Sequence, residues 1–104
     1  MDKLKLLLQY SEPEEAQEQA FKKYGTDAVL FISTRKNKKY MIIDKNNNKW
    51  VHFGSLEPPH EDFTKHKDEQ RRQNFLKRTG NIRGNWRDNP YSSNNLSRNI
   101  LWNA

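Results

Sequence analysis

The chain has 104 residues, a formal net charge of +6 and no cysteine. This length fits one domain, and the lack of cysteine excludes a disulfide framework, a thiolate metal site and a cysteine nucleophile. Hydrophobic residues make up only 33% of the chain and charged residues 31%, but 12% of the residues are aromatic. Because the apolar residues are also clustered, we expect residues 1–104 to form one folded domain with long polar loops.

The charge is unevenly distributed. Residues 1–34 hold four Lys/Arg against six Asp/Glu, whereas residues 35–104 hold 15 against seven, giving net charges of −2 and +8. A basic field confined to one part of a chain favours polyanionic partners, although lysine and arginine also keep protein surfaces soluble. The apolar run at the N terminus is too short to span a membrane and lacks a small-residue cleavage site. We therefore expect neither membrane association nor secretion.

The first two elements are predicted as a strand and a helix. In residues 3–9, polar side chains at Lys5 and Gln9 stand among leucines and leave one apolar face, which favours a strand. Ser11 is suited to cap a helix and Pro13 to its first turn, with acidic residues at the positive end of the helix dipole. Gly25 is a natural helix stop. We therefore predict a helix of about three turns over residues 13–24.

Three further strands are predicted, separated by polar turns. They cover residues 28–32, 40–43 and 49–53. Short strands joined by turns rich in lysine and asparagine are typical of an antiparallel meander. Within the last strand, His52 is predicted to share a face with Trp50. The order in residues 1–54 is then β-α-β-β-β.

Residues 55–104 are predicted to form a basic helical lobe. A stiff loop follows residue 55, and a helix begins at Lys67 or Asp68 and stops at Gly80. After a polar loop over residues 81–91, a second helix is capped by Ser92 or Ser93, and its apolar side carries Leu96, Ile100 and Leu101. The sequence thus predicts an α+β fold with a small antiparallel sheet and two C-terminal helices.

This lobe carries the candidate nucleic-acid-binding residues. Cationic side chains contact phosphates and release condensed counter-ions, and two of them, Arg71 and Arg78, are spaced to lie on one side of the predicted helix. Trp86 could stack on a base, although large aromatic residues in a chain short of core are more often buried. The candidates are Lys65, Lys67, Arg71, Arg78, Arg83, Trp86, Arg87 and Arg98.

No catalytic motif is recognisable. The chain has no glycine-rich phosphate loop, no Gly-x-Ser-x-Gly elbow and no His-Glu-x-x-His sequence. One cluster, His60, Asp62, His66 and Asp68, has residue types that could hold a divalent metal for a nuclease, but either aspartate could instead cap a turn or helix. We expect no enzyme activity, cofactor or metal, and keep a metal-dependent nuclease as the second alternative.

Several motifs in fixed order resemble those of small proteins encoded by giant viruses, the large DNA viruses of eukaryotes. The most specific is Asp-Phe-Thr-x-His-Lys-Asp at residues 62–68; the others are residues 49–54, Arg71-Arg72, residues 75–78, Asn85-Trp86 and residues 96–102. The resemblance implies a viral origin and no particular mechanism. It also implies one unit, a structural latch or a binding surface, made of Asp62, Phe63, His66, Asp68, Arg72, Trp86 and Trp102.

The leading hypothesis is therefore a viral accessory protein that binds nucleic acid, DNA rather than RNA, without sequence specificity through its basic lobe. The alternative is a virion structural or protein-interaction module, in which the acidic helix over residues 13–24 contacts a basic partner or a second copy. Both hypotheses place the protein in the virion, or in the cytoplasm or nucleus of the infected host cell.

Overall fold

The computed structural model describes residues 2–103 and shows a small α+β fold built on one three-stranded antiparallel sheet. Met1 and Ala104, the ends of the predicted domain, lie outside the described residues. The N-terminal half contains helices α1 (Lys3–Leu8) and α2 (Pro13–Tyr24) and strands β1 (Phe31–Ile32), β2 (Lys38–Asp44) and β3 (Lys49–Ser55). The C-terminal half contains α3 (Phe63–His66), α4 (Glu69–Gly80), a 3-10 turn (Trp86–Asp88), α5 (Ser93–Leu96) and a π-helical turn (Ser97–Leu101).

The strand predicted over residues 3–9 is wrong, because this segment forms helix α1. The Asp2 carboxylate caps the helix by accepting a hydrogen bond from the Leu4 N–H at 3.1 Å. Leucine and lysine are good helix formers and none of these residues is β-branched. Leu7 is fully buried, whereas Leu4 and Leu8 are about 40% exposed. The order is therefore α-α-β-β-β, and the sheet has three strands.

Helix α2 was predicted with the correct bounds, but Ser11 does not cap it. Glu12 occupies the cap position without a side-chain hydrogen bond, and the Ser11 hydroxyl is instead buried within 2.7 Å of the Tyr40 hydroxyl. The helix ends as predicted before Gly25, whose φ of 107° suits glycine.

Strand β1 is shorter than the predicted run of residues 28–32. The side chain of Gln17 takes the place of a neighbouring strand: its amide donates to the Ala28 carbonyl at 2.8 Å, and its carbonyl accepts from the Leu30 N–H at 2.8 Å. Only Phe31 and Ile32 then pair with β2.

The sheet order is β1-β2-β3, and its two faces differ. Ile42 pairs with Val51, and Tyr40 with Phe53, on the face that packs into the core. The turn between β2 and β3 falls where it was predicted, with Asn48 at a φ of 54°.

Both C-terminal helices are present, as predicted. Asp68 caps α4 through the N–H groups of Gln70 and Arg71, and the Ser92 hydroxyl caps α5. The short helix α3, capped by Asp62, lies where a loop was expected.

One hydrophobic core joins the two halves of the chain. Leu96, Ile100 and Leu101 are buried in the same cluster as Leu7 and Phe53. The basic lobe therefore completes the core of the sheet. Within residues 2–103, no helix is long and apolar enough to cross a lipid bilayer.

Candidate nucleic-acid interface

Two of the predicted phosphate-binding lysines are bound to the acidic helix α2. The Lys65 ammonium lies 3.2 Å from a Glu12 carboxylate oxygen, and the Lys67 ammonium contacts Glu15 and lies 5.9 Å from the centre of the Phe63 ring. The opposite charges of the two halves of the chain thus meet within one molecule. These partly exposed pairs contribute little stability each, but they reduce the positive charge that Lys65 and Lys67 offer to a polyanion.

Two arginines lie against the ring of Trp86. The guanidinium of Arg87 lies 4.3 Å and that of Arg98 5.4 Å from the centre of the Trp86 ring. The indole N–H donates to the Ile82 carbonyl at 2.7 Å. Because cations already lie against its ring and its N–H is bonded, Trp86 serves as a packing element of the loop in this conformation.

The same two arginines close the C-terminal end of α4. Arg98 donates to the Leu76 carbonyl at 2.6 Å and to the Thr79 hydroxyl at 2.7 Å, and Arg87 contacts the Gly80 carbonyl. Cations favour this negative end of the helix dipole. Burial and the neighbouring Arg87 charge lower the pKa of Arg98. Arg98, which was predicted as a phosphate ligand, is therefore committed to holding α4.

The residues predicted to form one unit lie together at the junction of α3, α4 and the C terminus, except Trp86, which packs against Arg87 and Arg98 instead. Arg72 donates to the Trp102 carbonyl at 3.0 Å and to the Asn103 carbonyl at 2.8 Å, and its guanidinium lies 5.6 Å from the Phe63 ring centre. Trp102 stacks in parallel on Phe75, with ring centroids 4.1 Å apart. The unit fastens the end of the chain to α4.

His66 links this unit to the start of α4. Its Nδ1 accepts the Asp68 N–H at 2.9 Å, which puts the proton of the neutral ring on Nε2, and its ring lies 5.2 Å from that of Trp102. Burial, and secondarily the charge of Arg71, lower the pKa of His66. The imidazole is thus kept neutral as a hydrogen-bond acceptor that shapes the turn.

The residues considered for a metal site do not assemble into one. Within residues 2–103, no group of three or more histidine and acidic side chains is placed to share an ion. Asp62 caps α3, Asp68 caps α4, and the Nδ1 of His66 is occupied, while His60 is exposed. The nuclease alternative stays a prediction from the sequence.

Sequence reasoning missed a buried ion pair beneath this junction. The ammonium of Lys39 lies 3.0 Å from Asp62, and the two side chains are only 3% and 1% exposed. Lys39 also donates to the carbonyls of His60, at 2.8 Å, and Tyr10, at 3.4 Å. Burial lowers the pKa of Lys39, and the Asp62 carboxylate opposes that effect. No periodicity marks Lys39 as buried, because it stands in a strand beside another lysine.

A cleft of about 490 Å³ opens between α4, the end of β3 and the loop after β3. Arg71, Asn74 and Arg78 line it from α4, and their spacing of three and seven residues places them on one helix face. The stacked Phe75 and Trp102 form its apolar wall. Asn74 was not among the predicted residues, although its position between the two arginines could have indicated it.

The two arginines of the cleft remain largely available. Arg71 lies 3.5 Å from Glu61, a weak exposed pair, and the guanidinium of Arg78 lies 5.6 Å from the Phe75 ring centre. Beyond the helix, Lys77 and Arg83 are exposed and form no ion pair with any acidic residue in the described part of the chain. The charge left free in the lobe is thus concentrated along α4 and the loop that follows.

Half of the chain matches a known protein family. The model of the Family of unknown function (DUF5754) matches residues 28–79, half of the chain, from just before β1 almost to the end of α4. No curated protein and no solved structure matches. The matched segment contains the sheet, the Lys39–Asp62 pair and the arginines of the cleft. The chain belongs to the Family of unknown function (DUF5754).

Proposed function

We propose that this protein binds nucleic acid without sequence specificity, through the face of α4 that borders the cleft. The observation that carries the proposal is the row Arg71, Asn74 and Arg78, three exposed polar side chains on one helix face beside an aromatic wall. Guanidinium groups bind phosphate oxygens with two parallel hydrogen bonds, and an amide can add a contact to the backbone or to a base edge.

This proposal assigns the phosphate contacts to a smaller set of side chains than the sequence-based hypothesis did. Arg87 and Arg98 hold the end of α4, and Lys65 and Lys67 contact α2. Arg71 and Arg78, together with the exposed Lys77 and Arg83 further along the chain, supply the charge that remains for a partner.

The alternative role as a protein-interaction module has less support. Its main argument was that the acidic helix would attract a basic partner, but Glu12 and Glu15 already contact lysines of the same chain. A preference for DNA over RNA, a role in a virus and a place in the virion stay predictions from the sequence.

The test is fluorescence-anisotropy binding to a labelled duplex DNA of random sequence between about 50 and 200 mM salt. The affinity of the unaltered protein should fall steeply with salt. Arg71→Glu/Arg78→Glu should weaken binding at low salt and reduce the slope of log K against log salt concentration by about 2, since each phosphate contact contributes roughly 0.9.

The matched control is Lys5→Glu/Lys22→Glu, which changes the net charge equally at two exposed lysines outside the cleft. It should retain most of the binding. Equal losses in both variants would mean that net charge alone attracts the DNA, and no duplex binding by the unaltered protein at low salt would refute the proposal. Arg83→Glu is preferable to any change at Arg87 as an additional variant, because Arg87 also contacts the Gly80 carbonyl.

A further inference from the structure

The outer face of the sheet, opposite the core, is apolar and aromatic. Phe31 pairs with Met41, and Ile43 with Trp50, so that their side chains share one face with His52. The rings of Phe31 and Trp50 meet edge to face, with centroids 5.4 Å apart, although they belong to the two outer strands. The aromatic rings thus lean towards each other across the central strand.

The two rings are unusually open to solvent. The exposed fraction is 48% for Phe31 and 44% for Trp50, whereas tryptophan in a small domain is generally well buried. The sequence-based expectation that large aromatic residues are buried is wrong for Trp50, because its strand position points to the outer face. Contiguous exposed apolar surface of this kind commonly marks a binding site.

Cationic side chains stand at both ends of this face. Arg35 and Lys36 lie in the turn before β2, and Lys49 begins β3; all three are exposed, and none forms an ion pair with an acidic residue within residues 2–103. Lys49 stands opposite Asp44 on the neighbouring strand and interacts with its charge. Asp44 is the only acidic residue of residues 28–56, and it is buried. Its carboxylate is occupied by hydrogen bonds from the turn after β2.

Positive charge also acts on His52, which lies on the same face. Besides burial, the positive charges of Arg35, Lys3 and Lys38 lower the pKa of His52. Beside Phe31 the exposed Asp27 is paired with Lys45, so that positive charge predominates around the face. An apolar centre with a mainly positive rim complements a ligand that carries both flat apolar rings and negative charge.

We propose that the outer face of the sheet binds single-stranded nucleic acid, with unpaired bases stacked on Phe31 and Trp50 and phosphates bound by Arg35, Lys36 and Lys49. Aromatic side chains on an open sheet stack on bases of any sequence, and flanking cations follow the phosphate backbone. A second copy of this chain fits less well, because two positive rims would face each other. This site is separate from the α4 surface and does not depend on the function proposed for it.

The test measures binding of labelled oligo(dT), oligo(U) and a random-sequence duplex of about 15 nucleotides, a length within the site sizes of single-strand-binding domains. Phe31→Ala/Trp50→Ala removes two stacking rings and should weaken binding of the single strands by about 30-fold or more, while duplex binding stays nearly unchanged. Phe21→Ala is the matched control, because Phe21 is a 39% exposed aromatic residue on α2. It should bind all three ligands like the unaltered protein.

A second variant, Lys36→Glu/Lys49→Glu, keeps the experiment decisive if loss of the aromatic rings disturbs the fold. Both lysines are exposed, and their reversal should weaken single-strand binding with no change in the melting temperature beyond a few degrees. Failure of the unaltered protein to bind either single strand, or unchanged affinity in both variants, overturns the proposal. So does a dimer in sedimentation that Phe31→Ala/Trp50→Ala converts to a monomer without any change in single-strand affinity.

The two proposals can fail independently. Loss of duplex binding in Arg71→Glu/Arg78→Glu would support the α4 surface and says nothing about the sheet. If the same variant still binds single strands, the single-strand site lies outside the α4 surface, as expected for the sheet. Oligo(dT) and oligo(U) separate DNA from RNA, since the stacking mechanism requires only unpaired bases.

Discussion

Replacing Asp62 with asparagine should leave a buried ammonium without its counter-charge. The Lys39 and Asp62 side chains are 3% and 1% exposed, so solvent does not screen their interaction. Asparagine keeps an oxygen that can accept the Thr64 N–H, now bonded to the carboxylate at 3.0 Å. The substitution therefore removes the charge while retaining a residue suited to cap α3.

The expected cost is about 3 kcal/mol of the free energy of unfolding. Removing one partner of a buried pair costs roughly 3–5 kcal/mol, and the lower end applies because Lys39 keeps its bonds to the His60 and Tyr10 carbonyls. A domain of this size has about 5–15 kcal/mol in total. At roughly 4–8 °C per kcal/mol, the melting temperature should fall by about 12–24 °C.

The loss should shrink as the pH rises. Burial lowers the pKa of Lys39 from 10.5, and Asp62 opposes this through its charge and hydrogen bond. Without that carboxylate the pKa of folded Lys39 falls further. Between the folded pKa and 10.5 the unfolded chain binds a proton that the folded chain does not, so stability rises with pH in this window.

Urea unfolding of both proteins at pH 7 and about 9.5 measures the difference. Higher pH is avoided because burial raises the pKa of Tyr40, so that its phenol ionises first in the unfolded chain and lowers stability. Lys39→Met is the control. It should also be destabilised, but its stability should not rise between pH 7 and about 9.5 in the same way, because the variant has no lysine at this position to lose a proton. A cost below about 1 kcal/mol, or a difference that stays constant with pH, would show that Asp62 is not the counter-charge of Lys39.

Two further predictions concern packing around this junction. Gly54→Ala should destabilise the protein by more than about 2 kcal/mol, because φ is +80° and the new methyl group would lie 2.9 Å from Leu101 Cδ1. Gly84→Ala, at a φ of +113° with open space around it, should cost only about 1 kcal/mol of the free energy of unfolding, because the side chain meets no neighbour and only the backbone conformation is unfavourable. Equal melting temperatures for the two variants would contradict this reasoning. Arg98→Ala should cost about 1–3 kcal/mol in urea unfolding, because the Leu76 carbonyl and the Thr79 hydroxyl lose their donor. Lys77→Ala, which removes an exposed cation from the same helix, should change stability by less than about 0.5 kcal/mol, and similar losses in both would refute a specific role for Arg98.

Much of the fold follows from local sequence signals. Pro13 and Gly25 bound α2, Asp68 and Gly80 bound α4, and the asparagine-rich turn separates β2 from β3. These positions act through backbone geometry and capping, which depend on neighbours in the sequence. The strand predicted over residues 3–9 was wrong because its one apolar face was given more weight than the helix-forming leucines and lysines and the Asp2 cap, which are also local signals.

Composition alone indicated a basic protein, but the tertiary structure decided what each cation does. Lys39 is buried against Asp62, Arg98 holds α4, and Lys65 contacts α2, whereas Arg71 and Arg78 stay at the edge of the cleft. Lys65 and its partner Glu12 lie 53 positions apart in the chain. The availability of a charged side chain depends on which distant groups folding brings within reach, and a linear sequence does not encode those distances locally.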